Sequence, residues 1–162
     1  MPRVTPATPS AETTPTAPPS EHEGERGDHP ETARVSDGWW GYDEVEAYRL
    51  AASTQRGVLI DVSAIWCIPC VRMDRETFRD PQLRAQIISS FVPLRIDVSE
   101  ETMANREQLR RYRVGRLPAI IFVDAAGRQL DRIDRYVDAT ALQQRVVLAA
   151  RALPGSQSSP QR

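Results

Sequence analysis

The two cysteines of this chain lie in one short motif, and that motif constrains the fold more than any other feature. Cys67 and Cys70 are separated by two residues, and the 162-residue sequence contains no other cysteine. A strongly apolar run, residues 57–65, leads into the motif, and an amphipathic segment, residues 69–78, leads out of it. This order predicts a buried strand that runs directly into the first turn of a helix.

A dithiol in that setting is expected to be reactive. The free backbone N–H groups and the positive dipole end of a helix N-terminus stabilise a thiolate. A lowered thiol pKa then makes thiolate available near neutral pH. We expect Cys67, at the helix start, to be the attacking sulfur and Cys70, one turn inside, to be the buried resolving thiol.

The cysteine pattern allows two other interpretations. A structural zinc site usually needs four Cys or His ligands, and the two histidines, His22 and His29, lie in a stretch that reads as disordered. Inert core cysteines are common, but they would not explain the neighbouring Trp66 or the strand-to-helix context. We therefore expect a redox motif, with no metal and no cofactor beyond the Cys67–Cys70 disulfide itself.

Composition divides the chain into one domain between two tails. Residues 1–36 are rich in Pro, Thr and Glu, and such a stretch cannot bury enough apolar surface to offset its ordering entropy. Residues 37–153 carry the pattern of a folded domain, and residues 154–162 form a polar tail that we also expect to be disordered. The net charge of −1 favours neither nucleic acid nor an anionic membrane as a partner.

No targeting or membrane segment stands out. The start is not followed by the apolar region of a secretory signal. No run approaches the roughly 18 apolar residues that a transmembrane helix requires. As written, the sequence predicts a cytoplasmic monomer without an integral membrane segment.

Helices and strands alternate through the domain. Helices are predicted from residue 43 to about 53, from 70 to about 79, and over 82–89, 103–112 and 139–152, with Asp43, Asp80 and Asp138 as N-caps. Strands are predicted over 58–64, 91–98, 119–123 and 129–135. Pro93 suggests that the second strand is an edge strand or starts irregularly.

Asp61 interrupts the apolar run of the first strand. A strand buried on both faces reads as continuously apolar, so a carboxylate there should have a raised pKa, because burial disfavours its charged form. One interpretation is a hydrogen-bonded structural group. We favour the other, a proton acceptor six residues before Cys67, because perturbed acids cluster at functional sites.

The order of these elements resembles the thioredoxin fold over about residues 38–152. The stretch from Trp66 to Cys70 matches the Trp-Cys-x-Pro-Cys of that family, Asp61 falls at its buried acid, and Leu117-Pro118 falls at its cis-proline. The resemblance implies an α/β fold with a central mixed β-sheet flanked by helices. It also implies a cis Leu117–Pro118 bond beside a site where an extended substrate pairs by strand addition.

Within that superfamily, residues 76–83 and the long 97–113 connection look most like the C-terminal domain of the disulfide reductase DsbD and its stand-alone relatives. This resemblance implies a bacterial protein-disulfide reductase with disulfide-containing protein substrates and an upstream dithiol electron donor. It favours the periplasm or cell envelope as the alternative compartment. Two departures stand out: Pro93 lies near the position of a thioredoxin lysine beside the buried acid, and the loop at Arg135-Tyr136 lacks a glycine.

The expected mechanism is thiol–disulfide exchange, in which Cys67 attacks a substrate disulfide and Cys70 resolves the mixed disulfide while Asp61 takes its proton. An apolar docking surface is expected around the reactive sulfur, formed by Trp66, Ile68, Pro69, Leu117 and Pro118. Two alternatives stay open: a non-catalytic thioredoxin-like binding module, and a disulfide oxidase or isomerase.

Overall fold

The computed structural model describes residues 39–156. Ten elements follow one another in this range, and they confirm the predicted α/β alternation. They are α1 (Glu44–Ser53), β1 (Gly57–Ser63), α2 (Ile68–Arg72), a π-helical turn (Met73–Thr77), α3 (Pro81–Ser90), β2 (Phe91–Asp97), α4 (Met103–Arg111), β3 (Ala119–Val123), β4 (Gln129–Ile133) and α5 (Ala139–Arg151).

The four strands form one mixed sheet in the order β2-β1-β3-β4. The β1–β2 pair is parallel, whereas β1–β3 and β3–β4 are antiparallel. All residues of β1 and β3 are buried, as expected for central strands with both faces covered. The thioredoxin-like mixed sheet flanked by helices is therefore present.

Two apolar clusters cover the two faces of the sheet. One joins α3 and α5 to Leu59 and Phe122, and it also contains Trp39, Trp40 and Phe78. The other joins Ala47 and Ala51 of α1 to the opposite face of β1, and both cysteines belong to it. The dithiol is thus anchored in a packed layer rather than on a free loop.

The helix starts follow the predicted capping chemistry. The carboxylates of Asp43, Asp80 and Asp138 accept hydrogen bonds from the backbone N–H groups three residues further on, at 3.0, 2.7 and 2.8 Å. Each bond satisfies one of the N–H groups that a helix N-terminus leaves without an intrahelical partner.

Pro93 lies in an edge strand, as predicted. Its carbonyl accepts a hydrogen bond from Gly41 N–H at 3.0 Å. The N and O of one strand residue face the same side, so the missing N–H of Pro93 also faces away from β1. The proline therefore costs no ladder hydrogen bond between β1 and β2.

The helix after the cysteines differs from the prediction. It was expected to continue to about residue 79, but α2 ends at Arg72 and a wider π-helical turn follows. Phe78 N–H donates to the Met73 carbonyl at 2.9 Å, and the Thr77 hydroxyl donates to the Val137 carbonyl at 2.6 Å. The wider turn buries Met73, Thr77 and Phe78 together, which an ordinary 3.6-residue periodicity does not indicate.

The predicted N-terminal tail lies outside the described residues, and the predicted domain boundaries stay predictions. The described part begins with Trp39 and Trp40, which are already in the core. After α5, residues 152–156 form turns. No helix within residues 39–156 has the length and apolar character needed to cross a membrane.

Candidate active site

Cys67 and Cys70 form a disulfide at the N-terminus of α2. The two sulfurs are 2.07 Å apart. Cys67 is the N-cap residue, and its Sγ accepts a hydrogen bond from Cys70 N–H at 3.3 Å. A helix N–H group that points at this sulfur is the contact expected to stabilise a Cys67 thiolate.

The two cysteines are less accessible than the residues around them. Cys67 is 6% exposed and Cys70 is 3% exposed, whereas Trp66 is 64% and Ile68 is 81% exposed. Cys70 is thus buried as expected, but Cys67 does not lie on an open surface. A partner would reach its sulfur through a groove that Cys67 itself lines.

The connection between β1 and α2 is hydrogen-bonded to the loop that follows β2. Ile65 N–H donates to the Ser99 hydroxyl oxygen at 2.9 Å, and Trp66 Nε1–H donates to the Ser99 carbonyl at 3.0 Å. Ser99 is in turn held by Asp97, whose carboxylate accepts from the Ser99 backbone N–H at 2.8 Å and from its hydroxyl. Ser99 therefore positions the residue that precedes Cys67, a role that the sequence analysis missed.

Asp61 is buried in an ion-pair network with Arg95 and Asp74. Arg95 donates to one oxygen of Asp61 from Nε at 2.9 Å and from Nη2 at 2.6 Å. The same Nη2 donates to Asp74 at 2.5 Å. The Arg95 guanidinium also lies over the Trp40 ring, 4.4 Å from its centroid, which adds a cation–π contact.

The charged groups of this network shift the pKa values of Asp61 and Arg95. Burial raises the pKa of Asp61, and the negative charge of Asp74 raises it further, while Arg95 opposes both effects. Burial alone would lower the pKa of Arg95, but the two carboxylates raise it above its ordinary value. Two carboxylates thus share one permanent cation. Asp61 therefore keeps its proton to a higher pH than an ordinary aspartic acid does.

The cation beside the buried acid comes from a residue that the sequence analysis did not consider. Pro93 stands near the thioredoxin lysine position, but the sheet register pairs Asp61 with Arg95, two residues further along β2. A signal was present, because Arg95 is the one charged residue among the otherwise apolar residues 91–96 of β2. A buried arginine in a strand needs an anionic partner, and Asp61 is the acid of the neighbouring strand.

The Leu117–Pro118 peptide bond is cis, as predicted. Leu117 is half-buried and packs against the apolar cluster that contains both cysteines. Pro118 itself is buried and is not among the lining residues of the groove. Of the five residues expected to form the docking surface, Pro118 is therefore the one that does not face this groove.

A groove of about 600 Å³ opens beside the dithiol, between α4 and the start of α2. Cys67 lines it together with four of the predicted docking residues, Trp66, Ile68, Pro69 and Leu117. Further apolar lining comes from Val98, Leu109 and Val114. The structure therefore brings these four side chains and Cys67 to one apolar depression.

The loop at Arg135-Tyr136, which lacks a glycine, packs against α2 and the π-helical turn. The Tyr136 hydroxyl donates to Glu76 at 2.8 Å, and the Arg72 guanidinium lies 4.2 Å from the centroid of the Tyr136 ring. Arg72 also donates to Glu76 at 2.8 Å. Tyr136 thus occupies the loop position where the sequence departs from ordinary thioredoxins, and its side chain is held by Glu76 and Arg72.

No group of three or more His, Cys, Asp or Glu side chains between residues 39 and 156 is arranged to hold a metal ion. The two histidines of the chain, His22 and His29, fall outside the described range. The cysteines are joined to each other. The dithiol is thus the redox group that the described residues provide.

A model of the thioredoxin-like domain family matches residues 45–150, which is more than half of the chain. The chain belongs to the thioredoxin-like family. The matched range contains both cysteines, Asp61, Arg95 and the cis-proline.

Curated relatives of this thioredoxin-like chain carry the name thiol:disulfide interchange protein DsbD. The protein from Ralstonia nicotianae is 40% identical over 84 residues, which are 52% of this chain and 14% of the relative. DsbD 1 from Pseudomonas aeruginosa is 35% identical over 105 residues, which are 62% of this chain and 18% of the relative. The chain therefore spans less than a fifth of the length of these relatives.

Solved structures agree on the fold. A thioredoxin from Thermus thermophilus superposes with a TM-score of 0.58 at 26% identity, covering 75% of this chain and 97% of the other. The oxidised C-terminal domain of Neisseria meningitidis DsbD superposes with a TM-score of 0.54 at 21% identity, covering 70% and 90%. Together with the paired cysteines, these relatives support the class predicted from the sequence, a thiol–disulfide oxidoreductase.

Proposed function

We propose that this thioredoxin-like domain is a protein-disulfide reductase that works through the Cys67/Cys70 dithiol. The observation that carries the proposal is the position of Cys67. Its sulfur caps α2, receives the Cys70 N–H and lines an apolar groove large enough for a peptide segment. An attacking sulfur, a resolving sulfur and a place for the substrate therefore adjoin one another.

The reaction is a pair of exchanges that balances in sulfur, protons and electrons. The Cys67 thiolate attacks one sulfur of the substrate disulfide, which forms a mixed disulfide and releases the other substrate sulfur as a thiolate that takes up a proton. Cys70 then loses its proton and attacks Cys67, which releases the second substrate thiol. The substrate gains two electrons and the dithiol becomes the Cys67–Cys70 disulfide. An upstream dithiol donor must restore it.

Asp61 is proposed to accept the Cys70 proton, directly or through water. Its burial and its raised pKa bring the carboxylate closer to a pKa suited to proton transfer. Arg95 is the positioning residue for this acid, since it holds one carboxylate oxygen with two hydrogen bonds.

The reducing direction is proposed from the two residues between the cysteines. Ile68 and Pro69 provide no cation to stabilise the reduced form, whereas a strongly stabilised thiolate makes a strong oxidant. We expect a potential nearer the roughly −270 mV of thioredoxin than the roughly −120 mV of DsbA.

The partners and the compartment belong to the same proposal. Disulfide-containing proteins are the expected substrates, and the domain is expected to act as a monomer without a metal or an organic cofactor. The sequence as written predicts the cytoplasm, whereas similarity to DsbD proteins favours the cell envelope. Cell fractionation with an antibody to this chain decides between the two compartments.

The deciding experiment is a redox titration of the full chain in dithiothreitol or glutathione buffers, followed by tryptophan fluorescence. A two-electron transition below about −220 mV supports a reductase, and one well above about −180 mV indicates an oxidase or isomerase. A Cys67→Ser variant is the matched test of catalysis. It should lose all turnover of a model disulfide, whereas a non-catalytic binding module would keep its partner.

A further inference from the structure

The end of α4 leads directly into one wall of the groove beside Cys67. This groove wall consists of residues 114–117, which follow α4, and of Leu109 in the last turn of the helix. Leu109 and Val114 also pack against the apolar cluster that contains both cysteines. The conformation of the chain where α4 ends therefore sets the position of the groove wall relative to the reactive sulfur.

α4 ends in a turn, residues 109–114, that is unfavourable for the residue at its centre. Val114 N–H donates to the Leu109 carbonyl at 2.8 Å, and Arg113 N–H donates to the Arg110 carbonyl at 3.1 Å. This pair of bonds is a Schellman motif, in which the residue after the C-cap adopts a left-handed conformation and is usually glycine. Arg113 occupies that position with a φ of 52°. Its Cβ disfavours this conformation, so the surrounding structure must hold the turn in place.

Arg132 of β4 contacts this turn directly. Its Nη1 donates to the Tyr112 carbonyl at 2.7 Å, and its Nη2 donates to the Arg113 carbonyl at 3.1 Å. Its Nε donates to the carboxylate of Asp134, 2.8 Å from each oxygen. The side chain of Arg132 is only 18% exposed. A planar guanidinium, itself oriented by a carboxylate, thus binds two consecutive carbonyls of the turn.

The helix has a separate attachment to the rest of the domain. The Tyr112 hydroxyl donates to the carboxylate of Glu44 in α1 at 2.5 Å, and Arg111 donates to the same oxygen at 2.8 Å. These bonds hold the end of α4 against α1 without the help of Arg132. Removing the Arg132 guanidinium is therefore expected to release the turn and the groove wall while α4 stays in place.

We propose that Arg132 is a positioning residue for substrate docking. It holds the turn after α4 so that the groove wall contacts an apolar side chain next to the substrate cysteine. This inference rests on the proposed function for the role of that cysteine. It adds a residue remote from the dithiol that sets the preference of the groove for apolar substrate segments.

Two disulfide peptides test the inference. Each has one cysteine joined to a chromogenic thiol, with leucines on both sides of the cysteine in one peptide and glycines in the other. The full chain is reduced, freed of reductant and mixed with each peptide, and release of the chromogenic thiol gives a second-order rate constant. The readout is the leucine-to-glycine ratio of the two rate constants. A smaller folded fraction lowers both constants alike and leaves their ratio unchanged.

We expect the wild-type chain to prefer the leucine peptide by about tenfold or more, because burial of one leucine side chain favours binding by at least that factor. Arg132→Met should lower the ratio about threefold or more, because a displaced wall buries roughly half as much of the leucine. Arg132→Lys should also lower it, since an ammonium group is a point charge that does not match the two carbonyls.

A second substitution in the turn tests the cause of the effect. Adding Arg113→Gly to Arg132→Met should recover part of the lost ratio, because glycine adopts the left-handed conformation without support. Arg128→Met is the matched control. The Arg128 guanidinium pairs with Asp124, and Arg128 does not line the groove, so this variant should keep the wild-type ratio.

The outcomes separate this inference from the proposed function. Equal rate constants for the two peptides with the wild-type chain, or a wild-type ratio in both Arg132 variants, overturn the role of Arg132 even if every peptide is reduced. An equal fall in Arg128→Met overturns it too, because the effect would then not depend on the turn. Failure to reduce either peptide overturns the reductase proposal instead. The affinities of the matching serine peptides for the oxidised chain, measured by tryptophan fluorescence, then decide the role of Arg132.

Discussion

Asp61 and Asp74 are bridged by a single nitrogen, Nη2 of Arg95, at 2.6 and 2.5 Å. Asp61 comes from the central strand β1, and Asp74 comes from the π-helical turn that begins three residues after Cys70. The bridge therefore couples the buried acid of the sheet to the helix that carries the dithiol. Arg95 is 4% exposed, and Asp61 is 2% exposed, so water screens little of this coupling.

Replacing Arg95 by methionine should destabilise the fold strongly. Removing one partner of a buried pair leaves an uncompensated charge and typically costs about 3–5 kcal/mol. Without Arg95, the pKa of Asp61 should rise further above its ordinary value. An acid with a raised folded-state pKa contributes most stability below its unfolded pKa, and that contribution is lost as the pH rises through the folded value. The loss should therefore be larger at about pH 8 than at about pH 5.

Urea denaturation at the two pH values measures this effect. Arg49→Met removes an exposed pair with Glu46 and should leave the unfolding transition unchanged. The double variant Asp61→Asn/Arg95→Met should recover part of the lost stability, because the buried charge of Asp61 is removed together with that of its partner. A loss for Arg95→Met that is the same at both pH values would show that Asp61 is not the group left uncompensated.

Asp61→Asn should slow the resolving step, in which Cys70 attacks the mixed disulfide. A positioned general base typically contributes at least about a hundredfold to such a step, so we expect a loss of that order at neutral pH. In the wild-type chain the rate should rise with pH as Asp61 ionises, with its midpoint above the ordinary carboxyl pKa because burial raises that pKa. Rapid-mixing fluorescence with a preformed mixed disulfide measures the rate.

The same experiment on Asp74→Asn tests the cause of the shift. Removing the second carboxylate takes away a negative charge that raises the pKa of Asp61, so the midpoint should move to lower pH without disappearing. Asp61→Asn should lack the midpoint altogether. Glu107→Gln, on the surface pair with Arg110, should keep the wild-type profile. A wild-type midpoint retained in Asp61→Asn would remove Asp61 from the mechanism.

The elements were predictable because their signals are local. Asp80 followed by Pro81 marks a helix start within two residues, and the carboxylate does cap α3 at 2.7 Å. Cys67 and Cys70 were identified in the same way, since a helix N-terminus after an apolar run is a short-range pattern. The cis bond before Pro118 followed from resemblance to the family and not from the local sequence.

The charged network was not predictable from local sequence, because it depends on sheet register. Asp61 and Arg95 are 34 residues apart, and a slip of one residue would have turned Arg95 to the other face of β2. The contact between Asp74 and Arg95 depends on the π-helical turn. Such a turn adds a residue to the helix, and the spacing of apolar residues in the sequence does not indicate it. Local sequence therefore indicated an acid at this site, but not the cation that holds it.

Gly57→Ala should destabilise the sheet at the start of its central strand β1. A Cβ at this position would lie 2.5 Å from the Val123 carbonyl oxygen and 2.7 Å from the Phe91 ring. Relieving such contacts in a packed core typically costs about 1–3 kcal/mol. Gly115→Ala is the control, because its Cβ would meet no heavy atom within 4 Å. Urea denaturation should show a loss for Gly57→Ala only, and equal midpoints would contradict the close approach of β1 and β3 at this residue.

Ser99→Ala should loosen the residues that precede the dithiol while leaving the fold intact. The variant loses the acceptor of Ile65 N–H, which is 2.9 Å from the Ser99 hydroxyl oxygen, and the hydroxyl bond to Asp97. A single hydrogen bond contributes about 0.5–1.5 kcal/mol net, so losing these two bonds should cost about 1–3 kcal/mol. The Trp66 bond goes to the Ser99 carbonyl and is weakened only through movement of the loop.

Fluorescence anisotropy of the Trp66 indole reports its mobility, and this distinguishes a positioning role of Ser99 from a contribution to fold stability alone. The redox titration is carried out in parallel. Ser99→Ala should lower the anisotropy and slow the attack of Cys67, and Ser99→Thr, which keeps a hydroxyl, should restore both. Ser89→Ala is the control, because its hydroxyl bonds only within α3 and to Ser90. If Ser99→Ala lost stability but kept the wild-type anisotropy and attack rate, Ser99 would be a structural residue and the Trp66–Cys67 segment would be held by its own packing.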